Sequence, residues 1–181
     1  MQLIFDFLDP AAVVGWEAVD DRVMGGISQS RFSHDPGGFA VFAGTVSLQR
    51  NGGFASVRAP LAGPCAAHAQ HCRIEVRSSD KLAKLYKLNL IISPQFDGIN
   101  YQTEFSPGPS PSPGSSPVSC LYPAAWQQIS LPLASFSARF RGRDVPHAER
   151  LESGRICQVG LMISGGQAGD FSLDVRRIWV D

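Results

Sequence analysis

Residues 71–77 read HCRIEVR and residues 86–92 read YKLNLII. In an extended chain, successive side chains point to opposite faces. The first stretch therefore sets Cys72, Ile74 and Val76 against Arg73, Glu75 and Arg77. The second sets Tyr86, Leu88, Leu90 and Ile92 against Lys87 and Asn89. A third, YQTEF at 101–105, sets Tyr101, Thr103 and Phe105 against Gln102 and Glu104. Each run has one apolar face and one polar face, which is the pattern of a half-buried strand.

Working outward, the same period recurs along the chain and helix-period stretches are almost absent. Candidate strands are Leu3–Phe7, Gly15–Val19, Ser28–His34, Phe39–Ser47, Phe54–Arg58, His71–Ser78, Tyr86–Ser93, Tyr101–Phe105, Trp126–Pro132, Ile156–Ser164 and Phe171–Val180. Eighteen glycines and thirteen prolines punctuate them. Short strands with such turn residues between them predict an antiparallel sandwich or barrel. The last strand changes phase: Phe171, Leu173 and Val175 are odd-numbered, whereas Ile178 and Val180 are even. One face can bury both sets only if an extra residue intervenes, so a β-bulge is expected near Arg176–Arg177.

The chain has 181 residues, 44% of them hydrophobic, which fits a single domain over 1–181 with a sizeable core. Sixteen Lys and Arg balance sixteen Asp and Glu. That balance gives no electrostatic ground for nucleic acid or an anionic membrane as the main partner. No apolar run approaches the ~20 residues of a membrane span, so any membrane contact is expected to be peripheral and through a partner. The start, MQLIFDFLDP, lacks the basic region of a secretory signal and is not an Arg-rich transit peptide. A cytoplasmic, bacterial-type protein is the expectation.

Residues 106–119, SPGPSPSPGSSPVS, have almost no apolar side chains to bury and read as a mobile loop between strands. The four cysteines, Cys65, Cys72, Cys120 and Cys157, form no C-x-x-C. Cys72 and Cys157 fall in phase with apolar neighbours as core residues. Cys65, His68, His71 and Cys72 could ligate a metal, but structural zinc usually clamps two separated pairs, so no metal is assigned. There is no dinucleotide fingerprint, phosphate-binding loop or nucleophile elbow, and nothing in the spacing pairs a nucleophile with a base. Neither catalysis nor a cofactor is expected. His147, in the polar stretch DVPHAER, reads as exposed.

Several blocks follow one another in a specific order: WEAVDDRVMGGISQSRF, FAGTVSLQRNGGFASVR, YKLNL, YQTEF, WQQISLPLASFSARFRGRDV and VGLMISGGQAGDFSLDVRRIWV. Together they resemble the complex I intermediate-associated protein 30 family, from about Trp16 to Val180. The resemblance implies an all-β jelly roll of two antiparallel sheets, like galactose-binding domains, in agreement with the strand reading. It also implies a non-catalytic assembly factor that binds protein subunits of a membrane redox complex. A carbohydrate-binding-like module, with or without calcium, is the alternative. The chain departs from the family pattern at SSDKLAK, at the Pro/Ser/Gly loop and at AGPCAAHAQHC.

The binding candidates come in two groups. DDRVMGG at 20–26 and NGGFASVR at 51–58 place Asp20, Asp21 and Asn51 beside double glycines. Both are explicable as turns between strands, with Asn-Gly a hairpin signal. Both are expected at one end of the sandwich. Two acidic groups alone are too few for calcium, which takes six or more oxygens. Arg58, Arg141 and Arg143 could bind an anion with bidentate geometry or brace Asp20 and Asp21 internally. The second group is the outward set Arg73, Glu75, Arg77, Lys87, Asn89, Gln102, Glu104 and Gln128, read as one polar platform or as a solvated face.

Overall fold

The computed structural model describes residues 1–78, 80, 83–94, 98–108 and 125–181. The Pro/Ser/Gly stretch beyond residue 108 lies outside them, as does Cys120. Thirteen strands are described: β1 Gln2–Asp6, β2 Glu17–Ala18, β3 Gln29–Asp35, β4 Phe39–Val46, β5 Ala55–Pro60, β6 His71–Ser78, β7 Tyr86–Ile91, β8 Asn100–Phe105, β9 Gln127–Pro132, β10 Ser137–Phe140, β11 Arg143–Asp144, β12 Gln158–Ile163 and β13 Gly169–Val180. One sheet has the order β3-β4-β13-β6-β9, with β1 also paired to β13; the other has the order β11-β10-β8-β7-β12-β5-β2. Every pairing is antiparallel. The expected two-sheet sandwich is what the chain forms.

Its core follows the alternation. Phe42, Ile74, Val76, Leu173 and Val175 of the six-stranded sheet are fully buried, as are Tyr86, Leu88, Leu90 and Leu161 of the seven-stranded sheet. Burying each such side chain contributes about 1.5–3 kcal/mol. Aromatic contacts cross between the layers, with Tyr86 on β7 6.4 Å from Phe42 on β4 and 6.4 Å from Phe171 on β13.

The phase change in β13 is a bulge, at the expected place. Val175 pairs with Val76 and Arg177 with Glu75, so Arg176 has no partner on β6. The bulge also marks a change of neighbour on the other edge. β4 pairs with Gly169–Val175, and β1 then takes over against Arg177–Val180. The freed Arg176 carbonyl accepts the Phe7 amide at 2.9 Å. An odd inner set and an even inner set thus share one buried face.

Two strands escaped the sequence reading. β10 and β11 form a hairpin whose turn is Arg141–Gly142, with φ of 48° and 78°. Positive φ at both central residues matches the right-handed twist of the strands. An Arg139–Asp144 ion pair of 3.0 Å closes it. The signal was the glycine in F-R-G-R, which reads as a motif and also as a tight turn.

Candidate functional site

Asp20 and Asp21 sit where the chain leaves β2 in one sheet for β3 in the other. Asp21 is fully buried and Asp20 is 8% exposed. Asp20 accepts the Ser30 amide at 2.9 Å, the Ser30 hydroxyl at 2.6 Å and the Ser56 amide at 3.0 Å. Ser30 lies on β3 and Ser56 on β5, so this carboxylate joins the two layers at their edges. Asp21 accepts the Ser28 amide at 2.9 Å, the Ser28 hydroxyl at 2.5 Å, the Gly53 amide at 2.7 Å and the Phe54 amide at 3.3 Å. The two glycine motifs are therefore side by side, as expected, and Asp21 is what joins them.

The glycines make room for that carboxylate. A Cβ on Gly26 would lie 2.3 Å from Asp21 Oδ1, and one on Gly52 would lie 2.8 Å from Asp21 Oδ2 and 2.4 Å from the Ser47 carbonyl oxygen. Burial, the largest single influence, pushes the Asp21 carboxyl up. The Ser28 hydroxyl and the Gly53, Ser28 and Phe54 amides together outweigh it and hold the group below its ordinary value. A carboxylate accepting several amide bonds is stabilised in its charged form.

Two expectations fail here. Residues 51–53 do not turn a hairpin, because β4 and β5 belong to different sheets. The left-handed pair is Arg50–Asn51, at φ 55° and 59°, and the segment carries the chain across the sandwich edge. Nor can Arg143 of F-R-G-R brace the aspartates. Arg143 is on β11 and Asp20–Asp21 follow β2, which are the two opposite edges of the seven-stranded sheet. Both aspartates accept from serine hydroxyls and backbone amides. Arg58 lies across from Glu17 in the strand register, and the Glu17 charge partly offsets the downward push of burial on the guanidinium. Arg141 lies in the hairpin turn with its guanidinium 5.3 Å from the Phe140 ring centre. Asn51 is exposed in the crossing segment.

The outward polar set is divided between the two layers, so it cannot form one platform. Arg73, Glu75, Arg77 and Gln128 face out from the six-stranded sheet, and Lys87, Asn89, Gln102 and Glu104 from the seven-stranded one. On the six-stranded sheet the charges are consumed locally. Arg77 Nε is 2.7 Å from Asp174 Oδ2, Arg73 Nε is 2.8 Å from Asp181 Oδ2, and Glu75 holds Arg177 at 2.9 Å and Arg176 at 3.4 Å. Burial raises the Asp174 carboxyl, with Arg77 opposing. Trp126 and Phe39 also lie here, but arginines cover them. The Arg77 guanidinium is 4.6 Å and 4.7 Å from their ring centres, and that of Arg176 is 4.2 Å from Trp126.

The seven-stranded sheet presents a different outer face. Its register aligns Glu17, Arg58, Gly160, Asn89, Gln102 and Ser137 in one row across six strands. A second row holds Ser56, Met162, Lys87 and Glu104, with Lys87 Nζ 3.6 Å from Glu104 Oε1. Gly160 has no side chain in the middle of the first row. A Cβ there would sit 3.0 Å from the Val57 carbonyl oxygen and 3.3 Å from Arg58 Cβ. The gap between Arg58 and Asn89 spans two strand spacings, about 10 Å. Asn89 is 6% exposed, and its Oδ1 has no hydrogen-bond partner. An unpaired buried acceptor costs about 1–3 kcal/mol, which makes it a candidate ligand contact. Sequence reading found Asn89 by its phase; the notch at Gly160 became visible only through the register of three strands.

Other candidates separate. Tyr86 and Tyr101 are buried, as their phase indicated, and burial pushes both phenols up. The Tyr101 hydroxyl donates to the Glu149 carbonyl at 2.7 Å. That bond lies beside an open groove of about 660 Å³ lined from four separate segments, including Ala69, Leu133, Phe136 and Leu151, which no local pattern announced. Cys65 and Cys72 are buried free thiols, both pushed up by burial, whereas His68 is exposed and His71 lies 3.9 Å from Asp181. Among the described residues no three His, Cys, Asp or Glu side chains converge as metal ligands. His147 is exposed.

Comparison with known proteins follows the same architecture. A family 11 carbohydrate-binding module from Clostridium thermocellum, solved with a β-1,3-1,4-mixed-linked tetrasaccharide, superposes with a TM-score of 0.68 at 15% identity, over 99% of this chain and 94% of that one. The family 11 module of the cellulosomal cellulase Lic26A-Cel5E from the same organism gives 0.64 at 15% identity, over 99% and 93%. At these identities the likeness is one of fold. An uncharacterized protein of Schizosaccharomyces pombe is 27% identical over 191 residues, covering 90% of this chain and 76% of its own length. The family model for complex I intermediate-associated protein 30 matches residues 5–175. The chain belongs to the complex I intermediate-associated protein 30 family.

Proposed function

We propose that this chain is a non-catalytic assembly factor that holds a protein subunit of a membrane redox complex. Family membership supports a role related to complex I assembly. The observation that carries the binding reading is the outer row of the seven-stranded sheet. There a buried, unpartnered Asn89 acceptor faces Arg58 across the Gly160 notch, with Gln102, Lys87 and Glu104 alongside. A client main chain or polar side chain that donates to Asn89 Oδ1 removes the cost of leaving it unpaired. Asp20 and Asp21 do not take part in contact; they hold the scaffold edge that carries Arg58.

The fold likeness to a sugar-bound module favours a second reading, carbohydrate binding. Sugar sites commonly stack an aromatic face on the pyranose ring. The aligned outer rows of the seven-stranded sheet contain no aromatic side chain. On the other sheet, arginines cover Trp126 and Phe39. The calcium form of this reading finds Asp20 and Asp21 already accepting from amides and hydroxyls.

The test is affinity capture of the tagged chain from its own host, with mass spectrometry of what co-purifies. Subunits of a membrane redox complex, lost in the Asn89→Leu variant, are the expected result. Retardation on mixed-linked glucan gels with no co-purifying subunit would replace this reading with the carbohydrate one.

A further inference from the structure

The end of the sandwich organised by Asp21 has an exposed outer surface of unusual composition. Val23 is 67% exposed, Met24 62%, Leu48 51% and Ile27 41%. Val23 and Met24 belong to the single helical turn Asp21–Met24, and Ile27 and Leu48 immediately flank Ser28 and Ser47. Those two serines are joined by the Ser47 amide donating to the Ser28 hydroxyl at 2.9 Å. The segments 22–29 and 47–54 thus form one end of the molecule, tied by Asp21 to Ser28 and Gly53. Across both segments the charged side chains are Arg22 and Arg50, both exposed, and neither forms an ion pair among the described residues.

We propose that this end docks directly on an anionic lipid surface, inserting Val23, Met24, Ile27 and Leu48 with Arg22 and Arg50 at the phosphate level. The shape favours lipid over a protein partner. Each of the four apolar side chains keeps much of its own surface in solvent, and the hollow of about 310 Å³ that Val23 borders is lined mostly by polar side chains, among them Glu17, Asp20, Arg22, Gln29 and Ser30. A protein partner would need a matched pocket for each, whereas a fluid acyl layer receives any apolar projection. The charge is complementary, since two arginines with no exposed carboxylate in either segment meet lipid phosphates. The backbone beneath is fixed at Ser28, Gly53 and Phe54 by the buried carboxylate. Overall neutrality of the chain concealed this local arrangement, and the expectation that membrane contact needs an intermediary changes with it. The inference is independent of the row around Asn89.

The test is flotation of the full chain with phosphatidylcholine vesicles and with vesicles of phosphatidylcholine and phosphatidylglycerol in equal parts. Binding to the anionic vesicles, weakened by salt, is expected. The double variant Val23→Ser/Met24→Ser should lose more than ~10-fold in partitioning, since each buried methylene contributes to the affinity. Arg22→Gln and Arg50→Gln should each lose roughly fivefold. Both sets alter exposed side chains, and an unchanged denaturation midpoint verifies that each variant is folded. Failure of the parent chain to bind anionic vesicles overturns the proposal. So does vesicle binding indifferent to Val23→Ser/Met24→Ser. Loss of subunit capture in that variant, without vesicle binding by the parent, would instead assign this end to a protein partner.

Discussion

The carboxylate of Asp21 accepts the amide of Gly53 at 2.7 Å, across 32 residues of sequence. Asp21 follows β2 and Gly53 precedes β5, so one buried charge fixes both places where the chain crosses between sheets on this edge. The two glycine motifs are the halves of one structural device, and the ligand they surround is a side chain of the protein itself.

Removing that side chain leaves the Ser28, Gly53 and Phe54 amides without their acceptor. Breaking a buried charged interaction from one side costs about 3–5 kcal/mol. Asp21→Ala should therefore lower the unfolding free energy by an amount of that order, read as a lower urea midpoint with an unchanged slope. Arg143→Ala, at the opposite sheet edge, should change the unfolding free energy by less than about 0.5 kcal/mol.

The pH dependence has a definite sign. The folded Asp21 carboxyl is held below its ordinary value of 3.8, so the folded state binds its proton less readily than the unfolded chain does. Its contribution to stability is present above the unfolded value and is lost as pH falls through the folded one. Denaturation of the parent chain should show this loss below about pH 4. The Asp21→Asn variant should lack it, so the difference between the two should shrink as pH drops. A difference that stays constant from neutral pH into strong acid would remove Asp21 from the acid response.

Adjacent glycines should respond differently to the same substitution. Gly26→Ala forces a methyl group to within 2.3 Å of Asp21 Oδ1, in a carboxylate held by four donors, one on Oδ1 and three on Oδ2. It should cost more than about 2 kcal/mol, the range of overpacking in a site that cannot yield. Gly25 has φ of 88° and nothing within 4 Å of an added Cβ. Gly25→Ala should cost only the left-handed backbone penalty, about 1–2 kcal/mol. Thermal midpoints of the two single variants make the comparison.

Asn89 should separate stability from binding. Its Oδ1 is buried without a partner, so an apolar side chain of similar size relieves a cost. Asn89→Leu is expected to leave the denaturation midpoint unchanged or raise it, while abolishing subunit capture. A marked loss of stability would place Asn89 among the structural residues.

How far the sequence reached depended on how local each signal was. Period-two alternation is written in neighbouring residues, so the strands around HCRIEVR and YKLNLII were legible, and the phase change in DVRRIWV located the bulge. The short β10–β11 hairpin was hidden because SARF offers only one alternation before its turn. Asn51–Gly52 carried the local chemistry of a hairpin, but long-range bonds to Asp21 decided that the chain crosses sheets there. Arg58 and Arg143 looked equivalent beside their glycines, and only strand order places them toward opposite sides of the sheet, on β5 and β11. The polar set looked like one face because phase says which side of a strand a residue takes, and not which sheet the strand joins.

The most direct measurement is the amount of fully assembled redox complex in membranes of the host, resolved on native gels after deletion of this chain and after its return. Deletion should reduce the mature complex and accumulate a smaller intermediate. The parent chain should restore assembly, and the stable Asn89→Leu variant should not. Unaltered complex levels after deletion would contradict the account, as would full restoration by Asn89→Leu.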